Sequence, residues 1–460
     1  MKSFVALSVI LLATSASSST TIPLTKLRGT GAYLKVSPDA GRARAALLKL
    51  RTDYEPTTVP ATYLGYGSYV TKVGIGKPPT YYNLIIDTGS SNTFCGAGTP
   101  YVQTSTSIPT GEAVDVTYGS GGFTGNEYLD QVTLAPNLVI VNQSIGDALS
   151  FAGFGIANGI LGLGPRDLTL RTLLPDTNVT IPTVMNSLVS QGLIEDQVLG
   201  VYFAPPTSDN DTNGALTYGG TDSSLYEGNL TWVPVTKTYP ASRFWGVNVT
   251  LCTYGNQTVI PTSTAGVVDT GTTQVLLADD FFTVYMNAIP GANKDSNTGL
   301  LDIPPSSISY MQPLNFTLAD RVFSMDVAAQ LVPADQNTAW GGVPGKRYGT
   351  VGHLSSNSGQ GLDFLLGIKF LERYYSAFDA HGKRVGFAQT KAGPWAVIEG
   401  SGFNFAEPEP SKAEAEPGPH ITVVVVDSQH DSHDGDSRRH LWITSPSPQA
   451  QQYTIHPSQR

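Results

Sequence analysis

The sequence predicts an all-β protein made of two similar halves with only a few short helices, and three observations carry that expectation. Gly 48, Pro 31 and Tyr 21, with only 14% charged residues, favour many short strands and turns over long helices. From about Val59 to Gln389 the chain is a succession of apolar, β-branched runs interrupted by Gly, Asn, Ser and Pro. One phrase also occurs twice: Ile85-Ile86-Asp87-Thr88-Gly89-Ser90-Ser91 and Val267-Val268-Asp269-Thr270-Gly271-Thr272-Thr273.

Each copy reads as a buried strand running into a tight turn that presents a carboxylate. A single Asp-Thr-Gly is an ordinary turn. Two copies with the same apolar lead-in, and a hydroxyl at the same offset, point to a duplicated half whose two loops meet. The Ser90 hydroxyl and the backbone of the Gly89 turn are placed to hold Asp87, and Thr272 and Gly271 to hold Asp269. Two carboxylates at close range cannot both ionise easily. Such a pair retains one proton and acts as acid and base together, activating a water and polarising a carbonyl without a metal or cofactor.

Between the two loops, Val116-Thr117-Tyr118-Gly119-Ser120-Gly121-Gly122 reads as a strand reversing through a Gly-rich hairpin, with Tyr118 at its base as part of a mobile lid. Helical patterning is confined to short stretches: Thr183 to Gln191, Asp279 to Ala288 and Phe370 to Tyr374.

The ends differ from this body. Met1-Lys2-Ser3, an apolar run from Phe4 to Ala13 and a small-residue segment to Ser18 have the three regions of a secretory signal peptide, residues 1–18. Its apolar core is too short to span a bilayer permanently. A basic stretch follows, residues 19–58, with Lys26, Arg28, Lys35, Arg42, Arg44, Lys49 and Arg51 against few acids. It reads either as a solvated segment or as a propeptide lying over an acidic cleft and released when acid protonates its partners. Residues 393–460 are low-complexity, Pro/Glu-rich and then His-rich, and read as a disordered tail.

The formal net charge of -10 argues against nucleic-acid binding, and no other segment has membrane-spanning length. The mature protein is expected to be secreted, with a vacuolar compartment the lesser alternative, and seven Asn-x-Ser/Thr sequons, at Asn142, Asn178, Asn210, Asn229, Asn248, Asn256 and Asn315, agree with passage through a secretory compartment. The chain has two cysteines, Cys95 and Cys252. They either pair or stay as separate buried thiols, and neither resembles a metal or redox site.

With these residues in hand, the chain resembles the pepsin-like aspartic endopeptidases over about residues 59–390. The resemblance rests on both Asp loops, on Thr117-Tyr118-Gly119-Ser120-Gly121, on Gly159-Ile160-Leu161-Gly162-Leu163-Gly164, and on Phe364-Leu365-Leu366-Gly367 followed by Tyr374-Tyr375-Ser376-Ala377-Phe378-Asp379. Its wording at Tyr218 to Ser224 and Gly361 to Phe364 is most similar to the polyporopepsin group of basidiomycete fungi.

The resemblance implies a bilobed double-β-barrel fold with lobes at residues 59–232 and 233–392, made as a zymogen and acting as a monomer on protein or peptide substrates at acidic pH. It implies that Asp87 and Asp269 are the catalytic pair, supported by Ser90 and Thr272, with Thr88 and Thr270 cross-linking the loops. Tyr118, Gly119 and Ser120 would form the flap, and Ile85 and Ile160 would line a pocket for large hydrophobic side chains. Leu161-Gly162 and Leu366-Gly367 match the apolar-Gly steps packed beside each Asp loop. Pepstatin-type inhibitors would bind, and no cofactor is required. One departure stands out: Phe94 occupies a position where many members carry a Trp that hydrogen-bonds the flap tyrosine, and Phe has no N–H to offer. The reading from a different class is a pepsin-fold protein that binds a partner without activity.

Overall fold

Why each Asp loop is preceded by an unbroken apolar run becomes clear in the computed structural model, which describes residues 20–26, 42, 67–119, 121–205, 213–391, 422–423 and 443–444. The signal peptide lies outside the described residues, as do most of the basic leader, Asn210, Ser120 and most of the tail.

In chain order the first half comprises β1 (Thr20–Lys26), β2 (Tyr69–Ile75), β3 (Thr80–Asp87), β4 (Phe94–Cys95), β5 (Ile108–Tyr118), β6 (Gly121–Ala135), β7 (Leu138–Ala152), β8 (Gly159–Gly162), β9 (Leu173–Leu174), helix α1 (Val184–Ser190), β10 (Val198–Phe203) and β11 (Gly214–Tyr218). Strands β2, β3, β8, β4, β7 and β6 pair in that order and close through β2–β6, making a barrel. Strand β3 runs parallel to β8, with Ile85 opposite Ile160 and Asp87 opposite Gly162. A strand held in that interior position is covered on both faces, so Leu84, Ile85 and Ile86 are all buried.

The second half repeats the device with β12 (Tyr226–Pro234), β13 (Gly246–Val249), β14 (Leu251–Tyr254), β15 (Gln257–Ile260), β16 (Thr264–Val268), β17 (Val275–Leu277), α2 (Asp279–Asn287), β18 (Asn293–Lys294), β19 (Leu301–Asp302), β20 (Leu314–Leu318), β21 (Arg321–Met325), β22 (Val351–His353), β23 (Phe364–Leu366), α3 (Ile368–Leu371), β24 (Tyr374–Asp379) and β25 (Arg384–Thr390). Here β16 runs parallel to β23, Val268 opposite Leu366. Strands β13, β16, β23, β17 and β22 form one sheet, and β15, β14, β20 and β21 a second.

The halves share a sheet. Strands β12, β25 and β24 of the second half continue into β10 and β11 of the first, through antiparallel pairing of Val198 with Asp379 and Val201 with Ser376. Backbone hydrogen bonds crossing from one half to the other set the orientation of the two Asp loops. The same sheet holds a strand that the sequence reading assigned to the leader. Strand β1 inserts between β11 and β2, pairing Thr20 with Tyr218, Leu24 with Gly214 and Lys26 with Tyr69.

The first two predicted helices are present. Thr183 caps α1 by accepting from the Asn186 amide, and Asn186 returns the favour at the Thr183 amide; α2 begins with Asp279 and Asp280, favourable charges at a helix N-terminus. The third prediction is corrected. The helical turn is Ile368–Leu371, and Tyr374, expected to end it, instead begins β24. The turn is pinned earlier because the Ile368 amide donates to the Thr272 carbonyl of the second Asp loop at 2.8 Å. The aromatic pair Tyr374-Tyr375 then pairs with β25. Among the described residues no helix is long and apolar enough to cross a membrane. In a second unit, residues 400–460, Thr422–Val423 pairs antiparallel with Ile443–Thr444.

Candidate active site

Strands β3 and β16 each deliver an aspartate at the C-terminal end of a strand in a parallel pair, and the two following turns interlock. The Thr88 amide donates to Thr270 Oγ1 at 2.9 Å, and the Thr270 amide to Thr88 Oγ1 at 3.1 Å. Each hydroxyl then donates across to the strand opposite, Thr88 to the Val268 carbonyl at 3.2 Å and Thr270 to the Ile86 carbonyl at 2.9 Å. Both threonines are fully buried, so each hydroxyl satisfies a backbone donor and a backbone acceptor that water cannot reach.

On this base the carboxylates are held in matching cradles. Asp87 accepts from the Gly89 amide at 2.9 Å and from Ser90 Oγ at 2.5 Å. Asp269 accepts from the Gly271 amide at 2.9 Å and from Thr272 Oγ1 at 2.6 Å. One oxygen of each takes a backbone N–H and the other a hydroxyl, an arrangement that stabilises charge and restrains rotation. Both aspartates are 0% exposed.

The apolar-Gly steps behind the loops explain two glycines. A Cβ on Gly162 would lie 2.4 Å from the Ser91 carbonyl carbon, and one on Gly367 2.2 Å from the Gln274 carbonyl oxygen. Backbone passes directly over backbone there, and only glycine leaves room. Equivalent ties run from the Gly164 amide to the Ser90 carbonyl and from the Ile368 amide to the Thr272 carbonyl, each 2.8 Å.

The hairpin of β5 and β6 ends in the pair Tyr118 and Gly121, with Gly119 in the turn. Its base is held by aromatic packing. The Tyr118 ring lies 6.1 Å from that of Phe94, 6.5 Å from Phe123 and 5.8 Å, edge-on, from Phe154. Phe94 and Phe123 stack at 3.9 Å. At the position where a tryptophan N–H was expected, the ring of Phe94 joins an apolar cluster that holds Tyr118 by contact. Ile85 and Ile160 stand side by side in the same cluster, which brings them together with the hairpin tyrosine.

Sequence reasoning missed Phe123, Phe154 and Trp245. Trp245 donates its indole N–H to the Leu163 carbonyl at 3.1 Å, tying the second half to the chain just beyond β8. A signal for it was present, since a tryptophan in a strand-like run requires a partner for its N–H when buried. A cavity of about 320 Å³ adjoins this tie, lined by Leu163, Pro165, Arg166, Phe244, Trp245 and Phe378; neither aspartate lines it. Cys95 and Cys252 are separate buried thiols, and burial pushes the proton affinity of both upward. Of the sequons, Asn142, Asn178, Asn229, Asn248 and Asn256 are exposed and Asn315 is half-buried.

Comparison with known proteins agrees with this geometry. The family described as "Eukaryotic aspartyl protease" matches residues 68–390. Polyporopepsin from Irpex lacteus is 51% identical over 333 residues, 72% of this chain and 97% of that protein. A vacuolar aspartic protease of Candida albicans is 28% identical over 348 residues, 72% of this chain and 77% of that one. The crystal structure of an aspartic proteinase from Irpex lacteus superposes with a TM-score of 0.70 at 44% identity, covering 81% of this chain and 98% of the other. With two interlocked Asp-Thr-Gly loops and a matching family over most of its length, the chain belongs to the eukaryotic aspartyl protease family and is an aspartic-type endopeptidase.

Proposed function

We propose that Asp87 and Asp269 are the catalytic pair of a secreted zymogen that cleaves proteins at acidic pH beside large hydrophobic side chains. The observation that carries this reading is the pair of matching carboxylate cradles joined through Thr88 and Thr270. Aspartic proteases are the type case of two aspartates sharing one proton. The ionised member takes a proton from a water held between the two, while the protonated member gives its own to the substrate carbonyl oxygen. The resulting tetrahedral intermediate collapses as the leaving nitrogen is protonated. Ser90 and Thr272 hold the carboxylates in position, and Thr88 and Thr270 keep the loops in register.

The hairpin carrying Tyr118, Gly119 and Ser120 closes over an extended peptide, and Ile85 and Ile160 with the surrounding aromatic rings favour an apolar side chain. The opening apolar segment and the exposed sequons support entry into the secretory pathway. With both aspartates 0% exposed, the path to them must open before a protein can bind, which supports synthesis as a covered precursor.

The test is hydrolysis of a denatured protein between about pH 3 and 5, where one proton stays on the pair. Asp87→Asn and Asp269→Asn should each abolish it, and a pepstatin-type inhibitor should block it. Full activity in either variant would overturn the assignment; a wild-type chain that binds peptide without cleaving it would favour a binding protein instead.

A further inference from the structure

The cavity beside the Trp245 tie takes no part in the chemistry of hydrolysis, and its walls come from both halves of the fold. Its floor is apolar and closed: Met185, Leu199, Phe244, Trp245 and Phe378 line it, and none is more than 7% exposed. The Trp245 and Phe378 rings meet edge-on at 5.4 Å. Because the Trp245 N–H is engaged by the Leu163 carbonyl, these rings offer carbon surface to an occupant. At about 320 Å³ the cavity falls at the lower end of the range that holds small molecules, about 300–1,000 Å³.

The charged residues of the wall are of one sign. Arg166 comes from the turn after β8, and Lys383 from the turn between β24 and β25. Thr180 fixes the guanidinium of Arg166, whose Nε donates to its hydroxyl at 2.9 Å and whose Nη2 donates to its carbonyl at 3.0 Å. The Lys383 carbonyl accepts from the Val235 amide at 2.8 Å, which anchors the second turn. Among the described residues neither cation forms an ion pair, and no Asp or Glu lines the cavity, in a chain of formal net charge -10. Asp167, Glu195 and Asp196 are neighbours of lining residues in the chain but stay out of the wall. An apolar floor with two unneutralised cations selects a ligand that has an apolar body and one anionic end. Gln197 and Ser242, in the same wall, suit an amide group beside that end.

We propose that this cavity receives the C-terminal residue of a peptide when that residue is apolar, seating the side chain on the rings and the carboxylate at Arg166 and Lys383. Such ends are what an endopeptidase of the proposed preference releases: hydrolysis after a large hydrophobic residue leaves its side chain next to a new carboxylate. A terminal α-carboxyl has an ordinary pKa of about 3.3–3.7, so the end is ionised at pH 5 and complements the two cations. The occupant would touch both halves at once, and binding only the folded arrangement would stabilise it. The source of the ligand rests on the proposed hydrophobic preference, whereas the site itself rests on the cavity.

The probe is N-acetylphenylalanine, titrated calorimetrically into the full-length chain at about pH 5, with N-acetylphenylalanine amide and decanoate as comparisons. The acid should bind about tenfold or more tightly than its amide, and Arg166→Gln and Lys383→Gln should each weaken it by a similar factor. Neither substitution should change hydrolysis of a denatured protein measured without the probe. The indole N–H resonance of Trp245 should shift as the acid is added. Equal binding of acid and amide, undiminished binding to both variants, or an unmoved Trp245 signal would overturn the proposal. Decanoate binding in the absence of any binding by the acid would overturn it too, making the cavity a fatty-acid site. If one variant does not fold, the other decides together with the amide comparison. Sequencing the peptides released from a denatured protein tests the hydrophobic preference separately: new C-termini without large apolar residues would refute that preference and leave the site, read by binding alone, in place.

Discussion

Replacing Glu127 with glutamine should make the protein more stable at neutral pH and leave it unchanged in acid. Glu127 lies on β6 opposite Gly146 and is 3% exposed, with Ser144 Oγ donating to its Oε1 at 2.5 Å. Burial raises its pKa from 4.5 to about 8, and the Ser144 hydrogen bond only partly offsets that rise. The unfolded chain therefore loses this proton near pH 4.5 while the folded chain keeps it to about pH 8. Within that window the folded state binds more protons, so stability falls as pH rises, by about 1.4 kcal/mol per pH unit. At pH 7 the accumulated cost is about 3 kcal/mol. Glutamine has nearly the same shape and keeps an oxygen for Ser144, but has no proton to lose. Urea midpoints measured at pH 4 and pH 7 should coincide for the two proteins in acid and separate at neutrality, with the variant higher. Parallel curves, or a variant less stable at pH 7, would refute the reasoning, because either result would mean that Glu127 is not held neutral by burial.

Other outcomes follow from the site. Thr88→Val strands the buried Thr270 amide and the Val268 carbonyl; it should cost about 2 to 4 kcal/mol in a urea titration and lower kcat more than it raises KM, since the loops lose register while the binding surface remains. Gly367→Ala forces a methyl against two carbonyl oxygens of the second loop, those of Thr272 and Gln274 at 2.4 and 2.2 Å; loss of about 3 kcal/mol or failure to fold is expected, checked by thermal unfolding. Cys95 and Cys252 should be silent to a thiol reagent in the native protein and titrate as two thiols in denaturant, and reductant should leave the melting temperature unchanged.

Local chemistry accounts for what was legible beforehand. Asp, Gly and hydroxyl residues in a turn, and a β-branched run in a strand, carry their preferences wherever they occur, so both Asp loops and the hairpin at Tyr118 could be read from spacing. The helix at Ile368–Leu371 was placed two residues late because its start depends on the Thr272 carbonyl, nearly a hundred positions away in the chain. Phe94 looked like a missing anchor when judged by its own hydrogen-bonding capacity. Phe123 and Phe154, which close around it and Tyr118, come from other strands and loops.

By itself the sequence determined that two aspartates would be presented on matching turns, at the ends of buried strands, with hydroxyls beside them. Only the tertiary structure decided that Thr88 and Thr270, 182 positions apart, complete each other's hydrogen bonds. It also decided that Thr20–Lys26 joins the shared sheet and that Glu127 is sealed from water. Turn and strand preferences are properties of a few neighbouring residues, whereas burial, charge environment and hydrogen-bond partnership depend on which distant segments the fold brings within a few ångströms.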